Sequence, residues 1–407
     1  MTNNVVIVGA GHGGVSLCAA LRNLGFDGNI TLLSEEGDLP YHRPPLSKGF
    51  IVNDSGDADA RLLLEPQAFY QDKRIDLRLN TRVSAVHPQS RSVQLADGSL
   101  LPYDHLVLAT GARARTLTLP GSELDNILVL RTQAQARALR ERLAHSQAVV
   151  IVGGGFIGLE VAATARKRGL QVTVLEGAAR LMERSVSPSV SAHVAERFRA
   201  QGIGLELGSS VQAFEGDNGR VSAVLSATGR HPADLVLVGA GALPNSELAE
   251  AAGIACTNGI LVDPQMRTSV PQVYAIGDCV NFESRYAGNT RLRLESIQNA
   301  NDQARLVARL ICGEQAHYDA VPWFWSDQGE IKLQMVGLAY GRTHCVTRGD
   351  PSQGRFSVFH YRDQQLIAVD SVNQPMEHIL ARKLLAAGIS PDTSQAANTV
   401  FELKSLL

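Results

Sequence analysis

Gly9, Gly11 and Gly14 follow four apolar residues, Val5-Val6-Ile7-Val8, at the spacing G-x-G-x-x-G. At that spacing the first glycine permits a tight turn. The second lets backbone approach a pyrophosphate, and the third lets a helix pack close to the strand. The chemistry is anion binding at a helix N-terminus, where amide groups and the helix dipole face the phosphates. Gly153, Gly155 and Gly158 repeat the spacing after Val149-Val150-Ile151-Val152. In both places a helical pattern follows, then a second apolar strand beside an acid, Glu35 or Glu176, suited to a ribose hydroxyl. A lone glycine loop is often only a tight turn. Two complete copies point to two dinucleotides, and so to a flavoprotein that takes hydride from a nicotinamide cofactor.

The five cysteines, Cys18, Cys256, Cys279, Cys312 and Cys345, form no C-x-x-C or C-x-x-x-x-C pair and read as reduced, small apolar residues. Electrons must then leave the flavin without a local thiol couple. Eleven histidines give no H-E-x-x-H pattern and no Cys/His cluster, so no metal site is expected.

Further candidates stand on loops and strand ends. The run Leu39 to Lys48 carries three prolines, which favour an extended, stiff loop. Its cations Arg43 and Lys48 either lie over the flavin or are solvated surface charges. Leu106 to Ala109 reads as a buried strand ending at Thr110-Gly111, where glycine lets backbone pass close to a ligand. Val273 to Ile276 reads as another, ending at Gly277-Asp278; the aspartate either accepts from a sugar or ribityl hydroxyl or caps a helix. Trp323 and Trp325, the only tryptophans, sit in Pro322-Trp323-Phe324-Trp325-Ser326-Asp327-Gln328, as core or as a platform beside the ring. Arg305 and Arg309 share a helix face near Arg291 and Arg293, as a docking patch or as a solvated face.

The elements that must position these residues follow from patterning. Residues 49–60 read as an exposed loop, and 75–108 as a small antiparallel sheet with a hairpin at Asp97-Gly98. Helices are expected over 132–145, 187–200, 296–311 and 377–387, and a separate α+β domain begins at Pro322. With 407 residues, 38 basic against 40 acidic side chains and 44% hydrophobic content, the chain is an ordinary globular one. It has no basic block for nucleic acid, no apolar run long enough for a bilayer and no signal-peptide pattern. A cytoplasmic location is expected.

Across its length the chain resembles the FAD-dependent, NADH-using ferredoxin reductases of bacterial oxygenase systems, the putidaredoxin, palustrisredoxin, rubredoxin and aromatic-dioxygenase reductase type. The resemblance is carried by Tyr41-His42-Arg43-Pro44-Pro45-Leu46-Ser47-Lys48, Ala109-Thr110-Gly111, Ala275-Ile276-Gly277-Asp278-Cys279, Glu295-Ser296-Ile297-Gln298-Asn299-Ala300 and the tryptophan segment. It leans towards members serving haem-thiolate monooxygenases. It implies an α/β fold of glutathione-reductase-like architecture, with two Rossmann-like domains and a C-terminal α+β domain. The FAD domain would be 1–112 with 244–321, the NAD domain 113–243 and the C-terminal domain 322–407.

The resemblance also implies the site. FAD would meet Gly9, Gly11, Gly13, Gly14, Glu35, Arg43, Lys48, Val83, Ala109, Thr110, Gly111, Arg131, Gly277, Asp278 and Ile297. NADH would meet Gly153, Gly155, Phe156, Ile157, Gly158, Glu160, Glu176 and Gly241. Lys48 would lie near flavin N5 with Glu160 as its partner, and Trp325 near the isoalloxazine. Gly14 stands where the family also has alanine, and Gly329 where an aromatic residue is common. The partner implied is a [2Fe-2S] ferredoxin or a related small iron–sulfur protein such as rubredoxin, and the chain a monomer or weak homodimer. Glu176 favours NADH over NADPH because a carboxylate repels a 2′-phosphate, while Arg180 four residues on is placed to attract one. The rival readings are an NADH oxidase or peroxidase of the same fold and a flavoprotein of the apoptosis-inducing-factor type.

Overall fold

A computed structural model of the chain describes residues 3–52 and 58–407. The chain divides into two compact units, residues 1–42, 59–113 and 243–322, and residues 43–58, 114–242 and 323–407.

The first unit is built on a five-stranded parallel sheet. Its strand order is Val273–Ala275, His105–Leu108, Asn4–Val8, Asn29–Leu33 and Ile75–Arg78. Val5 pairs with Ile30 on one side and His105 on the other. Buried on both faces, the central strands must be apolar throughout, which is why they read as continuous runs. The helix His12–Asn23 leaves the first strand through the glycine loop, and the helix Ile297–Ile311 packs against it. Ser296 caps that second helix by accepting from Asn299 N at 3.1 Å. Gly313, at φ 92°, follows its end.

Of the antiparallel sheet expected over 75–108, three strands form, Val83–His87, Ser92–Leu95 and Leu100–Pro102. The hairpin turns at Gly98, φ 88°. Ile75–Arg78 instead extends the parallel sheet beside Asn29–Leu33. A short apolar run has the same local pattern in either kind of sheet, so its partner is decided by chain connectivity.

In the second unit a parallel sheet has the order Gly204–Leu207, Gln171–Glu176, Ala148–Val152, Leu235–Val238 and Ile127–Val129. A three-stranded antiparallel meander spans Val211–Pro232. The C-terminal residues form a five-stranded antiparallel sheet ordered Trp323–Gln328, Ile331–Gly337, Gln365–Val372, Arg355–Arg362 and His344–Asp350, with the helix Pro375–Ala387 against it. The first two strands meet at Gly329, whose φ of 64° accounts for glycine at that turn.

Two loops also differ from the sequence pattern. Pro44–Ser47 is a 3-10 turn with Pro44 and Pro45 at its start, not an extended loop. Proline's fixed φ suits a first helical turn as well as an extended segment. The loop expected at 49–60 is not simply exposed, because Phe50 and Ile51 are buried in a further 3-10 turn, Gly49–Ile51. Its residues 53–57 lie outside the described residues.

Candidate functional site

In the first unit the site residues gather at the carboxyl ends of adjacent parallel strands, where open α/β sheets bind ligands. Gly9 has φ 111°, and a Cβ there would stand 2.2 Å from Ala109 O. A Cβ on Gly14 would stand 2.1 Å from Gly9 O, and one on Gly13 3.3 Å from Ile276 Cδ1. A Cβ on Gly11 would meet nothing within 4 Å. So the first and third glycines are required by packing, whereas the middle one faces open space at the helix N-terminus. Val83 starts a strand, and Ile297 starts its helix.

Glu35 lies just past the second strand, 70% exposed, 3.7 Å from Arg82. Thr110 Oγ1 donates to Asn245 O at 2.6 Å, Asn245 Nδ2 donates to Thr110 O at 2.9 Å, and Asn245 N donates to Gly111 O at 2.9 Å. Asn245 was not read from the sequence; a single asparagine in a loop gives no periodic signal. Gly277 N donates to the buried Gln303 Oε1 at 2.7 Å. Asp278 sits inside a 3-10 turn, Gly277–Cys279, and not at a helix N-cap, the cap of the following long helix being Ser296. That removes the capping alternative.

In the second unit the glycine loop has the same construction. Gly153 has φ 106°, with Gly239 O 2.5 Å from a Cβ, and Gly158 would bring a Cβ within 2.3 Å of Gly153 O. A Cβ on Gly155 or on Gly241 would meet nothing within 4 Å. Glu176 is tied down: its Oε2 accepts from Gly154 N at 2.6 Å and its Oε1 from Ala178 N at 2.7 Å. Arg180 is engaged with its own loop, donating to Val186 O at 2.9 Å and Glu183 O at 2.6 Å. Burial lowers its pKa.

The same unit holds a polar hub around Glu160, which is 5% exposed in the helix Phe156–Lys167. Lys48 Nζ lies 2.8 Å from Glu160 Oε2. Ser47 Oγ donates to the same oxygen, and Ser326 Oγ donates to Oε1 at 2.5 Å. Gln328 Nε2 donates to Ser326 Oγ at 2.7 Å and to Phe156 O at 3.2 Å. A buried carboxylate needs such donors. Ser47, Ser326 and Gln328 stand inside motifs that the sequence singles out, but their part in holding Glu160 is not readable there. Arg43 Nη1 donates to Arg131 O at 2.9 Å. Trp325 is half-buried, its ring centroid 5.5 Å from Trp323 and 6.4 Å from Phe324, which lies 4.8 Å from Phe156. Ile157 is 43% exposed.

The cysteines are free, with Cys18 and Cys279 buried. Burial pushes the Cys18 thiol up to about 12 and raises Cys279 as well, so neither is a thiolate at neutral pH. The arginines suggested as a docking patch are largely paired: Arg305 with Asp302 at 2.8 Å, Arg309 with Glu314 at 2.7 Å, and Arg293 with Glu295 at 2.5 Å. Among the described residues, no group of His, Cys, Asp and Glu is placed to hold a metal ion, and no helix is long and apolar enough to cross a membrane.

Residues 3–304 match the pyridine nucleotide-disulphide oxidoreductase family, and residues 323–407 match the reductase C-terminal family. A ferredoxin–NAD(P)+ reductase of a Sphingomonas species is 44% identical over 386 residues, 94% of this chain and 93% of that one. The solved ferredoxin reductase for the CYP199A2 system of Rhodopseudomonas palustris superposes with a TM-score of 0.96 at 43% identity, covering 99% of both chains. The reductase in a covalent putidaredoxin reductase–putidaredoxin complex gives 0.95 at 40%, covering 99% of this chain and 98% of that one. The chain belongs to this ferredoxin reductase family. The reductase has the glutathione-reductase-like α/β fold of FAD/NAD enzymes, and its cofactors are FAD and NAD(H). Its residues fit them: each glycine loop leaves its middle position open beside a helix N-terminus, with an acid at or just past the end of the second strand.

Proposed function

We propose that the reductase carries electrons from NADH, by way of FAD, to a [2Fe-2S] ferredoxin or a related small iron–sulfur protein such as rubredoxin that feeds an oxygenase. The observation that carries this is the pair of glycine loops at helix N-termini, where a Cβ on Gly11 or Gly155 would meet open space, together with burial that raises the Cys18 and Cys279 thiols. FAD, when bound, takes two electrons from NADH and releases them one at a time, as an iron–sulfur acceptor requires. The fold of the solved putidaredoxin reductase supports the choice of acceptor.

The chain's own residues bind, orient and compensate charge. In this reading Gly9, Gly11, Gly13, Gly14, Glu35, Val83, Ala109, Thr110, Gly111, Gly277, Asp278 and Ile297 serve FAD, joined by Arg43 and Arg131. Glu176 holds the NADH ribose; Gly153, Gly155, Phe156, Ile157, Gly158 and Gly241 serve the rest of that cofactor. With FAD bound, Lys48, aimed by Glu160, would supply a fixed cation for the reduced ring, and Trp325 would lie near the isoalloxazine. The FAD domain is 1–112 with 244–321, the NAD domain 113–243 and the C-terminal domain 322–407. The reductase works in the cytoplasm as a monomer or weak homodimer; five free thiols suit a reducing compartment.

The test is a stopped-flow mix of the purified yellow protein with NADH, followed by turnover with a [2Fe-2S] ferredoxin. Fast flavin bleaching, slow oxygen consumption and rapid ferredoxin reduction are expected. Fast oxygen turnover without ferredoxin reduction would instead make it an oxidase.

A further inference from the structure

A buried histidine–aspartate hydrogen bond outside the site links the C-terminal sheet to the loop that follows Glu176. His360, on the strand Arg355–Arg362, is 0% exposed, and Asp370, on the neighbouring strand Gln365–Val372, is 4% exposed. His360 Nε2 lies 2.9 Å from Asp370 Oδ2. The same oxygen accepts from Ser187 N at 2.7 Å. Ser187 is fully buried and caps the helix Pro188–Ala200. A buried histidine–aspartate hydrogen bond inside a sheet is often no more stabilising than apolar residues of the same shape, and here the shared carboxylate oxygen also holds a backbone amide of another element, which points to positioning.

From Ser187 the bonds run back to the second glycine loop. Arg180 donates to Val186 O at 2.9 Å, and Ser191 Oγ donates to Leu181 O at 2.7 Å. Met182 N donates to Gly154 O at 3.0 Å, and Gly154 N donates to Glu176 Oε2 at 2.6 Å. Asp370 also acts electrostatically on Arg180. We infer that Asp370, oriented by His360, is a positioning residue for NADH: it anchors the 177–187 loop and through it holds Glu176 and Gly154 in register for the adenosine half of the cofactor. The inference rests on Glu176 being the ribose acid.

The experiment measures KM and kcat of the FAD-loaded reductase, with ferricyanide as acceptor, for NADH and for reduced nicotinamide mononucleotide, which lacks the adenosine. Asp370→Ala is expected to raise KM for NADH about tenfold while leaving kcat within about twofold, and to leave both constants for the mononucleotide unchanged. Asp370→Asn keeps an oxygen for both donors and should restore KM to within about threefold of the parent. Should Asp370→Ala fail to retain FAD, His360→Leu, which frees Asp370 to turn, reads the same NADH-specific rise. Equal losses with both donors, or an unchanged KM for NADH, overturn the inference. Glu176→Ala run alongside separates the two readings. A rise in KM there without one in Asp370→Ala rejects Asp370 alone, while no rise in Glu176→Ala rejects the ribose role itself.

Discussion

Lys48 Nζ stands 2.8 Å from Glu160 Oε2, and the carboxylate is far more buried than the ammonium it holds, 5% against 23% exposed. Ser47, one residue from Lys48, donates to the same oxygen. The turn that carries the cation and the helix that carries the anion are thus fixed by one polar cluster. Lys48→Met removes the cation while leaving Glu160 its two serine donors. Flavin reduction by NADH should slow on the order of a hundredfold, the usual loss for a preorganised charge beside a reacting group. Unfolding stability should fall by about 3 kcal/mol, because a buried carboxylate loses its counter-charge. Stopped-flow reduction and urea unfolding check both, and an unchanged reduction rate sinks the catalytic role.

The glycine loops predict opposite outcomes for neighbouring substitutions. Gly9→Ala drives a Cβ to 2.2 Å from Ala109 O at φ 111°. Strain and overpacking together should cost about 3 kcal/mol or more and yield little folded protein. Gly11→Ala meets nothing within 4 Å. It should fold with an ordinary circular dichroism spectrum yet retain less FAD. Gly155→Ala, equally open, should keep FAD and raise KM for NADH. Full flavin content in Gly11→Ala would contradict a pyrophosphate at that loop.

Much of this was legible in the residues because packing leaves few alternatives. A buried parallel strand is an apolar run, and Gly9 and Gly153 occupy backbone that other residues cannot adopt. Thus both glycine loops, their acids and the helix over 297–311 stand where the pattern put them. The 3-10 turn at Pro44–Ser47 was misread because proline's φ fits two conformations. The roles of Asn245, Ser326 and Gln328 were not legible because their partners, Thr110, Glu160 and Phe156, lie more than 130 positions away. Long-range side-chain bonds carry no periodicity.

Glu176 bonds two backbone amides, Gly154 N at 2.6 Å and Ala178 N at 2.7 Å, while Arg180 is spent on Val186 O and Glu183 O. The arginine four residues on is thereby withdrawn from a 2′-phosphate. Glu176→Arg should narrow or reverse the NADH preference, read as the ratio of kcat/KM for the two cofactors. It should also cost about 1–2 kcal/mol of stability, since two amides lose their acceptor. An unchanged ratio would count against Glu176 as the ribose acid.

His378 offers an acid-sensitive probe of the tryptophan strand. It is 2% exposed, its ring is 6.0 Å from Trp323, and Arg382 lies 4.4 Å over that same indole. Burial, helped by Arg382, pushes its pKa down to about 4. An unfolded histidine titrates near 6.5, roughly. Between those values the unfolded chain takes up a proton that the folded one refuses, so stability is held above about pH 6.5 and falls as pH drops towards 4, by up to about 1.4 kcal/mol per pH unit for this group. His378→Phe removes the titration and keeps an aromatic ring in an apolar setting. Burial lowers His105 and His193 in the same direction, so only the difference between parent and variant isolates this residue. Melting temperatures of the two, measured from pH 8 to 4, should run parallel above about 7 and then part, with the parent falling faster. Parallel curves throughout would show that the imidazole gains no proton on unfolding, and that the packing of Trp323 against it does not exclude its charge.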